Sequence, residues 1–253
     1  MAERIDERID GRTVLRISGQ DRVSFLQNLV TNDVRGTDRG LVYAALLTPQ
    51  GKFLADFFLA PDGDGILLDV ASDLAPGLAR RLAMYRLRAD VAIETTELHV
   101  SRGLGPRPAG AFDDPRHPTL GWRQYGHAEG TGPVTDWDAI RVAHCIPETG
   151  IELLPDESYI LECGFERLHG VDFRKGCYVG QEVTARMKHK TDLRKGLLTV
   201  QVTGDAAPGT EITADGKPAG RLFTRAGERA IAYLRFDRAE GPLIAGGARI
   251  QLP

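Results

Sequence analysis

The chain has 253 residues with an ordinary globular composition, 42% hydrophobic and 26% charged, which excludes bulk disorder. At about 150 residues per domain, this length predicts one large domain or two modest ones. The longest apolar run, residues 41–47, is far shorter than the roughly 18 residues of a membrane span, so no membrane partner is expected. The first eight residues are rich in charges of both signs, which excludes a secretory signal and argues against a mitochondrial transit peptide.

The three cysteines, Cys145, Cys163 and Cys177, form no C-x-x-C pair. An odd number without paired spacing excludes a disulfide scaffold and disfavours a zinc site. No histidine has metal-ligand spacing either, so we assign no metal ligands. This usage of cysteine is typical of a reducing compartment, and we predict a cytoplasmic protein.

The net charge of −3 gives no global reason to expect a nucleic-acid partner. The charge is unevenly distributed, however, because the segment from Arg174 to Lys195 carries seven basic and two acidic residues. This basic segment predicts one surface that faces an anion, with a solvated charged face as the alternative. No interleaved aromatic residues accompany it, which disfavours direct tRNA binding.

The first hundred residues predict an α+β fold, because short strand-like runs cluster with few helices. Apolar spacing predicts a helix that begins after Asp21 and a second helix that is capped by Asp73. The expected strands are residues 12–17, 41–47, 53–60, 66–71, 91–93 and 98–100. Turn sequences separate the second, third and fourth of these strands, so the three form an antiparallel meander.

The rest of the chain changes character twice. Glycine and proline between residues 103 and 132 predict a loop, and Asp136 is expected to cap a short helix that reaches His144. After about Lys195, five short strands predict a small antiparallel β-barrel. These strands are residues 196–202, 211–213, 221–224, 230–236 and 248–252. We therefore predict two domains, 1–193, divisible near 95–135, and 194–253.

The most informative segment runs from Lys175 to Glu182 and reads Lys-Gly-Cys-Tyr-Val-Gly-Gln-Glu. Two glycines flank Cys177 and Tyr178, which permits a tight backbone path and the close approach of a ligand. The neighbouring cations Arg174 and Lys175 favour the thiolate form of Cys177, which is the reactive one. The alternative is that Cys177 is a small buried hydrophobe, a common fate of free cysteine.

This segment resembles the K-G-C-Y-x-G-Q-E motif of the folate-binding YgfZ family, which is related to the aminomethyltransferase (T-protein) of the glycine cleavage system. Residues 25–34 resemble the F-L-Q-x-x-x-T-N-D-V helix of that family, and residues 47–52 resemble its L-T-P-Q-G-[RK] turn. Residues 146–148 and 194–195 resemble two further elements of the family. The resemblance therefore spans nearly the whole chain.

The resemblance implies a ring-like arrangement of antiparallel-sheet-plus-helix domains around a folate cavity, with the C-terminal barrel beside it. It implies a tetrahydrofolate-binding protein that works with iron–sulfur proteins or their assembly machinery in assembling or repairing clusters, and that affects tRNA modification indirectly. Cys177 is then the functional thiol. The residues expected to contact folate are Lys175, Tyr178, Gln181, Glu182, Asn32 and Asp56. The basic segment is the expected place for the anionic glutamate tail of folate.

Two other functions stay open. One is a folate-dependent aminomethyltransferase of the T-protein type. The adjacent Asp pair of the T-protein falls here on Ala55 and Asp56, however, and Ala143 takes the place of its pterin-anchoring Glu. Because alanine cannot accept the N–H bonds of the pterin, and unpaired buried donors cost about 1–3 kcal/mol, these departures favour the cluster-assembly role. The other is a folate-sensing interaction protein with no chemistry of its own.

Overall fold

The structure is a computed structural model that describes residues 7–127, 130, 134–189, 193–239 and 241–253. The chain folds into two compact units. The first comprises Met1–Val134 and Glu166–Val183, and the second comprises Thr135–Phe165 and Thr184–Pro253. The second unit thus contains the predicted barrel segment, 194–253, together with a segment from earlier in the chain. No helix in the described part of the chain is long and apolar enough to cross a membrane.

In its described residues, the first unit contains two antiparallel sheets and two α-helices. Its elements are β1 (Glu7–Arg8), β2 (Arg12–Ser18), α1 (Arg22–Gln27), β3 (Val42–Leu47), β4 (Phe53–Asp62), β5 (Gly65–Ala71), α2 (Ala75–Arg86), β6 (Ala92–Thr95), β7 (His99–Gly103), β8 (Phe112–Asp113) and β9 (Trp122–Gly126). The five-stranded sheet has the order β3-β4-β5-β2-β6, and the four-stranded sheet has the order β1-β7-β9-β8. The predicted meander is confirmed, since β3, β4 and β5 are consecutive antiparallel neighbours.

One face of the five-stranded sheet forms the main core of this unit. Alternate residues of β4 and β5, such as Phe57 and Leu68, are fully buried in one cluster, as the two-residue period of a strand requires. Leu26 of α1 and Leu82 of α2 belong to the same cluster, so both helices cover this face. Asp73 does not cap α2, because the N-cap is Leu74 and makes no side-chain cap bond.

The opposite face of the same sheet carries a buried network of charges. Asp69 of β5 is fully buried and accepts hydrogen bonds from Arg12 Nε at 2.6 Å and Arg123 Nη1 at 3.0 Å. Arg123 lies on β9, so this ion pair joins the two sheets. Arg123 Nε also donates to the Asp114 carboxylate at 3.0 Å, and Arg116 Nη2 donates to the same carboxylate at 2.8 Å. Burial opposes the ionisation of Asp114, yet these two arginines lower its pKa to about 2.

The prediction of a loop between residues 103 and 132 is wrong, because this segment contains β8 and β9. It also supplies Asp114, Arg116 and Arg123, the members of the buried charge network that do not belong to the five-stranded sheet. Several of the glycines and prolines that suggested a loop, such as Gly105, Pro106 and Pro115, occupy the bends and turns between these short elements. The buried partners Asp114, Arg116 and Arg123 look like surface residues in the sequence, since charged side chains are rarely buried unless they are paired.

The second unit is built around a closed antiparallel barrel. Its elements are α3 (Trp137–His144), the larger part of α4 (Gln181–His189), β10 (Lys195–Thr203), β11 (Glu211–Ala214), β12 (Lys217–Ala226), β13 (Arg229–Arg235), β14 (Leu243–Ala245) and β15 (Ala248–Gln251). The barrel order is β10-β13-β12-β11-β14-β15, closed by pairing of β15 with β10. The predicted barrel is confirmed, but it has a sixth strand, β14, whose three residues are too few to show a period. Asp136 caps α3 as predicted, accepting from Ala139 N at 2.9 Å.

Replacing Arg123 should destabilise the protein strongly. The Arg123→Met variant leaves the buried carboxylates of Asp69 and Asp114 with fewer cations, and breaking a buried ion pair on one side costs about 3–5 kcal/mol. The control is Arg107→Met, because Arg107 is half exposed and 3.3 Å from the exposed Asp113, so that its loss should cost at most about 1 kcal/mol. Urea unfolding of both variants measures the difference, and equal losses would contradict the role of the network.

Candidate functional site

The site is centred on the segment from residue 170 to residue 180, which we call the cysteine loop. It has no helix or strand of its own and leads directly into α4. Gly176, immediately before Cys177, has a φ of +100°, and Gly180 has a φ of +82°. Residues with a side chain rarely adopt these conformations, so the two glycines are needed for the path of the loop around Cys177.

Lys175 anchors the cysteine loop to the end of α1. Its side chain is buried, and its ammonium group donates to the backbone oxygens of Gln27, at 2.6 Å, and Val30. These carbonyls lie at the C-terminal end of the helix, where backbone oxygens lack intrahelical partners and cations are favoured. The buried ring of Tyr178 lies 5.3 Å from the Lys175 ammonium. Burial lowers the pKa of Lys175 from 10.5 to about 8, although the negative charge of Asp33 acts to raise it.

A second anchor lies just before Lys175 in the sequence. Thr31 Oγ1 donates to the backbone oxygen of Gly170 at 2.7 Å, and the backbone oxygen of Thr31 accepts from Asp172 N at 3.0 Å. The Asn32 amide donates to the backbone oxygens of His169 at 2.7 Å and Tyr43 at 2.8 Å. Asn32 therefore joins β3 to the residue immediately before the cysteine loop.

A third anchor is the turn between β3 and β4. A Cβ atom on Gly180 would lie 2.6 Å from the backbone oxygen of Thr48, and one on Gly51 would lie 2.9 Å from Val183 Cβ. The turn and the end of the cysteine loop pack backbone against backbone, which only glycine permits. Three of the five sequence segments that carry the family resemblance, near residues 25–34, 47–52 and 175–182, therefore meet at one place in the fold.

Cys177 is exposed at the centre of these anchors, so the alternative of a buried structural cysteine is wrong for this residue. The other two thiols are in different surroundings. Cys163 is buried, and burial raises the pKa of its thiol to about 12, which makes it unreactive. Cys145 is half buried. In the described part of the chain, Cys177 is the exposed thiol.

Two of the predicted folate residues, Asn32 and Asp56, are connected through Tyr43. Asn32 lines a cavity of about 330 Å³ together with Asp33, Tyr43 and Asp172. Asp56 is buried on β4 and accepts from the Tyr43 hydroxyl at 2.9 Å, so Tyr43 links it to Asn32.

The remaining four predicted residues lie in the cysteine loop or at the start of α4. Lys175 and Tyr178 are buried in the first anchor, the Gln181 amide donates to the Gly176 oxygen at 2.9 Å, and Glu182 is exposed in the first turn of α4. The Lys175, Gln181 and Asn32 donors therefore bind backbone oxygens within the protein, and folate binding by these residues stays a prediction.

The basic segment is only partly described. Arg186 and Lys188 are exposed in the last turn of α4, whereas Lys190 and Asp192 lie outside the described residues. Sequence reasoning missed Gln27, Thr31 and Gly51 as parts of the site. The signal for them was the motif resemblance of their own segments, which does not show that the segments touch.

Comparison with known proteins places the chain among named relatives. Residues 194–253 match the domain family described as "CAF17, C-terminal beta-barrel domain". The iron–sulfur cluster assembly factor IBA57, mitochondrial, of Homo sapiens is 32% identical, and the match covers 97% of this chain and 82% of that protein. The Mus musculus protein of the same name is 32% identical over 93% of this chain and 79% of that protein.

The structural comparison shows the fold. The aminomethyltransferase T of the glycine cleavage system from Bartonella henselae matches with a TM-score of 0.79, over 99% of this chain and 85% of that chain, at 12% sequence identity. The predicted T-protein type of fold, with its C-terminal barrel, is confirmed. The prediction of a cytoplasmic protein is wrong by these comparisons, because the relatives are named as mitochondrial proteins.

Replacing Lys175 should weaken the anchor of the cysteine loop. In Lys175→Met the carbonyls of Gln27 and Val30 lose their common donor, which should cost about 1–3 kcal/mol near neutral pH. The native protein releases the Lys175 proton near pH 8, before the unfolded chain does, so the stability of the wild type rises with pH from about 8 to 10.5. Met has no proton to lose, and the gap between the two proteins should widen over that range.

Urea unfolding at about pH 7 and about pH 9.5 measures this gap. The matched control is Arg174→Met, which removes the adjacent exposed cation and should change stability by less than about 0.5 kcal/mol. A gap that narrows with rising pH, or an Arg174→Met loss as large as that of Lys175→Met, would contradict the assigned role of the ammonium group.

Proposed function

Because the chain belongs to the IBA57 family, whose named members are iron–sulfur cluster assembly factors, we propose that it takes part in assembling iron–sulfur clusters through the thiol of Cys177. The observation that carries this proposal is the exposure of Cys177 at the centre of a loop held by three anchors. A thiolate is the ligand type of iron–sulfur clusters. A loop with fixed geometry presents it without the cost of ordering it on binding.

The chemistry is a ligand exchange on the cluster, which is the cargo. Cys177 loses its proton, its sulfur forms a bond to iron, and the thiolate that leaves the iron takes up a proton. Iron–sulfur clusters are commonly held by four thiolates. Cys177 supplies one of them, and the remaining ligands come from the partner that delivers or receives the cluster. Effects on tRNA modification would follow indirectly, through iron–sulfur enzymes that modify tRNA.

The test is Cys177→Ser in cells that depend on this chain for a four-iron enzyme. A serine hydroxyl has nearly the same size but stays protonated at neutral pH, so the activity of the four-iron enzyme should fall about tenfold or more. The matched control is Cys145→Ser, which also replaces a thiol by a hydroxyl and should keep at least about half of the activity. Full activity of Cys177→Ser at normal protein levels would contradict the proposal and favour an interaction protein without its own chemistry.

Tetrahydrofolate binding is a separate proposal, on which no step of the exchange depends. It is supported by the motif resemblance and by the cavity beside Asn32. Titration calorimetry with tetrahydrofolate should show binding of the same strength to the wild type and to Cys177→Ser, since the thiol is not expected to hold the ligand. An absence of heat at concentrations up to about 1 mM would overturn the folate proposal and leave the role of Cys177 untouched.

A further inference from the structure

We infer that a pocket on the outer face of the barrel is a docking site for an acidic peptide segment of a partner protein. The pocket has a volume of about 400 Å³ and lies entirely within the second unit, between the 152–158 segment and strands β10, β12 and β13. It shares no residue with the cysteine loop.

Four cationic side chains surround the pocket, from Lys195, Arg221, Arg235 and Arg238. The register explains why they share a face. Lys195 is directly opposite Arg235, and Arg221 is directly opposite Tyr233, two residues before Arg235. The residues between them, such as Leu222 and Leu234, are fully buried inside the barrel. Alternation in a strand therefore points Lys195, Arg221 and Arg235 outward, and Arg238 follows β13 in a short 3-10 helix, Phe236–Arg238.

The Lys195–Arg235 pair is unfavourable for the protein on its own, because like charges on directly opposite residues destabilise a sheet. Arg221 is opposite Tyr233 on one side and Glu211 on the other. Two acidic residues, Glu152 and Glu157, also line the pocket. The carboxylate of Glu152 is already committed, since it accepts from Arg141 Nη2 at 2.6 Å and from Thr224 Oγ1 at 2.6 Å. The pocket thus has a net excess of positive charge.

The individual cations differ in how well they are compensated. Arg235 has a half-exposed ion pair of 3.3 Å with Asp237, and Arg238 donates to the Pro218 oxygen at 3.1 Å. Within the described part of the chain, Arg221 and Lys195 have no carboxylate within 4 Å. These two side chains are the ones available to bind an external anion.

The apolar residues that line the pocket indicate the kind of anion. Leu154, Pro218 and Phe223 line it together with the cations, and Leu154 and Phe223 are half buried. Carboxylates flanking an apolar side chain match this pattern, since peptide recognition combines an apolar anchor with charged pairs at the rim. A nucleic acid fits less well, because the protein carries a net charge of −3 and the cations surround one pocket instead of following a track.

The inference rests on the proposed function only in assigning the peptide to a partner in cluster assembly. Binding itself is tested by fluorescence anisotropy with one labelled probe, the octapeptide Glu-Asp-Glu-Leu-Phe-Glu-Asp-Glu. The control probe replaces each acid by its amide. The acidic peptide should bind saturably, more weakly as salt is added, and the amide peptide should not.

The variants locate the site. Arg221→Glu should weaken peptide binding about tenfold or more, and Lys195→Glu should do the same, because each places a carboxylate in the pocket. The matched control is Arg229→Glu, which makes the same charge change at the other end of β13 and should weaken binding less than about threefold. Thermal unfolding checks that each variant is folded.

Three results would overturn the inference. These are no saturable binding up to about 1 mM peptide, equal weakening by Arg221→Glu and Arg229→Glu, and tighter binding of a single-stranded RNA oligonucleotide that is lost in Arg221→Glu. Cys177→Ser should bind the peptide as the wild type does. A failure of the peptide site is therefore distinguishable from a failure of the thiol role, because each is read out with a different variant and a different assay.

Discussion

The candidate site depends on one buried ammonium group. Lys175 donates to two backbone oxygens at the end of α1, and Gly176, which follows it, has a φ of +100°. The residues on either side of the Gly176–Cys177 pair are therefore buried, while that pair is exposed. A cation inside the protein is unfavourable unless its donors are satisfied, and the lowered pKa of Lys175 reflects this cost. The same contacts that make the cation tolerable hold the thiol in place.

This arrangement changes the meaning of the basic residue beside the cysteine. The sequence suggested that Lys175 tunes Cys177 or binds folate, as a cation next to a thiol often does. In the structure its nitrogen is directed to the helix end, and its role is to position the loop. Residues that are close in the sequence can thus have different roles, since Lys175 is buried and Cys177, two positions later, is exposed.

The sequence was sufficient where local patterns decide the structure and insufficient where distant segments meet. Apolar runs separated by turn sequences predicted the β3-β4-β5 meander, and Asp136 was correctly identified as a helix cap. The segment 103–132 was mistaken for a loop, because its buried charges are stabilised only by partners on another sheet. The motif of Cys177 was evident at once, but its contacts with residues 27–31 and 48–51 cross more than a hundred positions. No local pattern reports such contacts.

The closed order of the six barrel strands has a consequence for recognition. In an open sheet, the outer strands expose unpaired backbone groups, and another chain can bind by adding a strand. Here β15 pairs with β10, so that the described strands form a continuous cylinder. Such a surface resists fortuitous pairing with other polypeptides, and a partner can recognise it only through side chains. Selectivity on this barrel is therefore determined residue by residue, and it can change by single substitutions without any change in the fold.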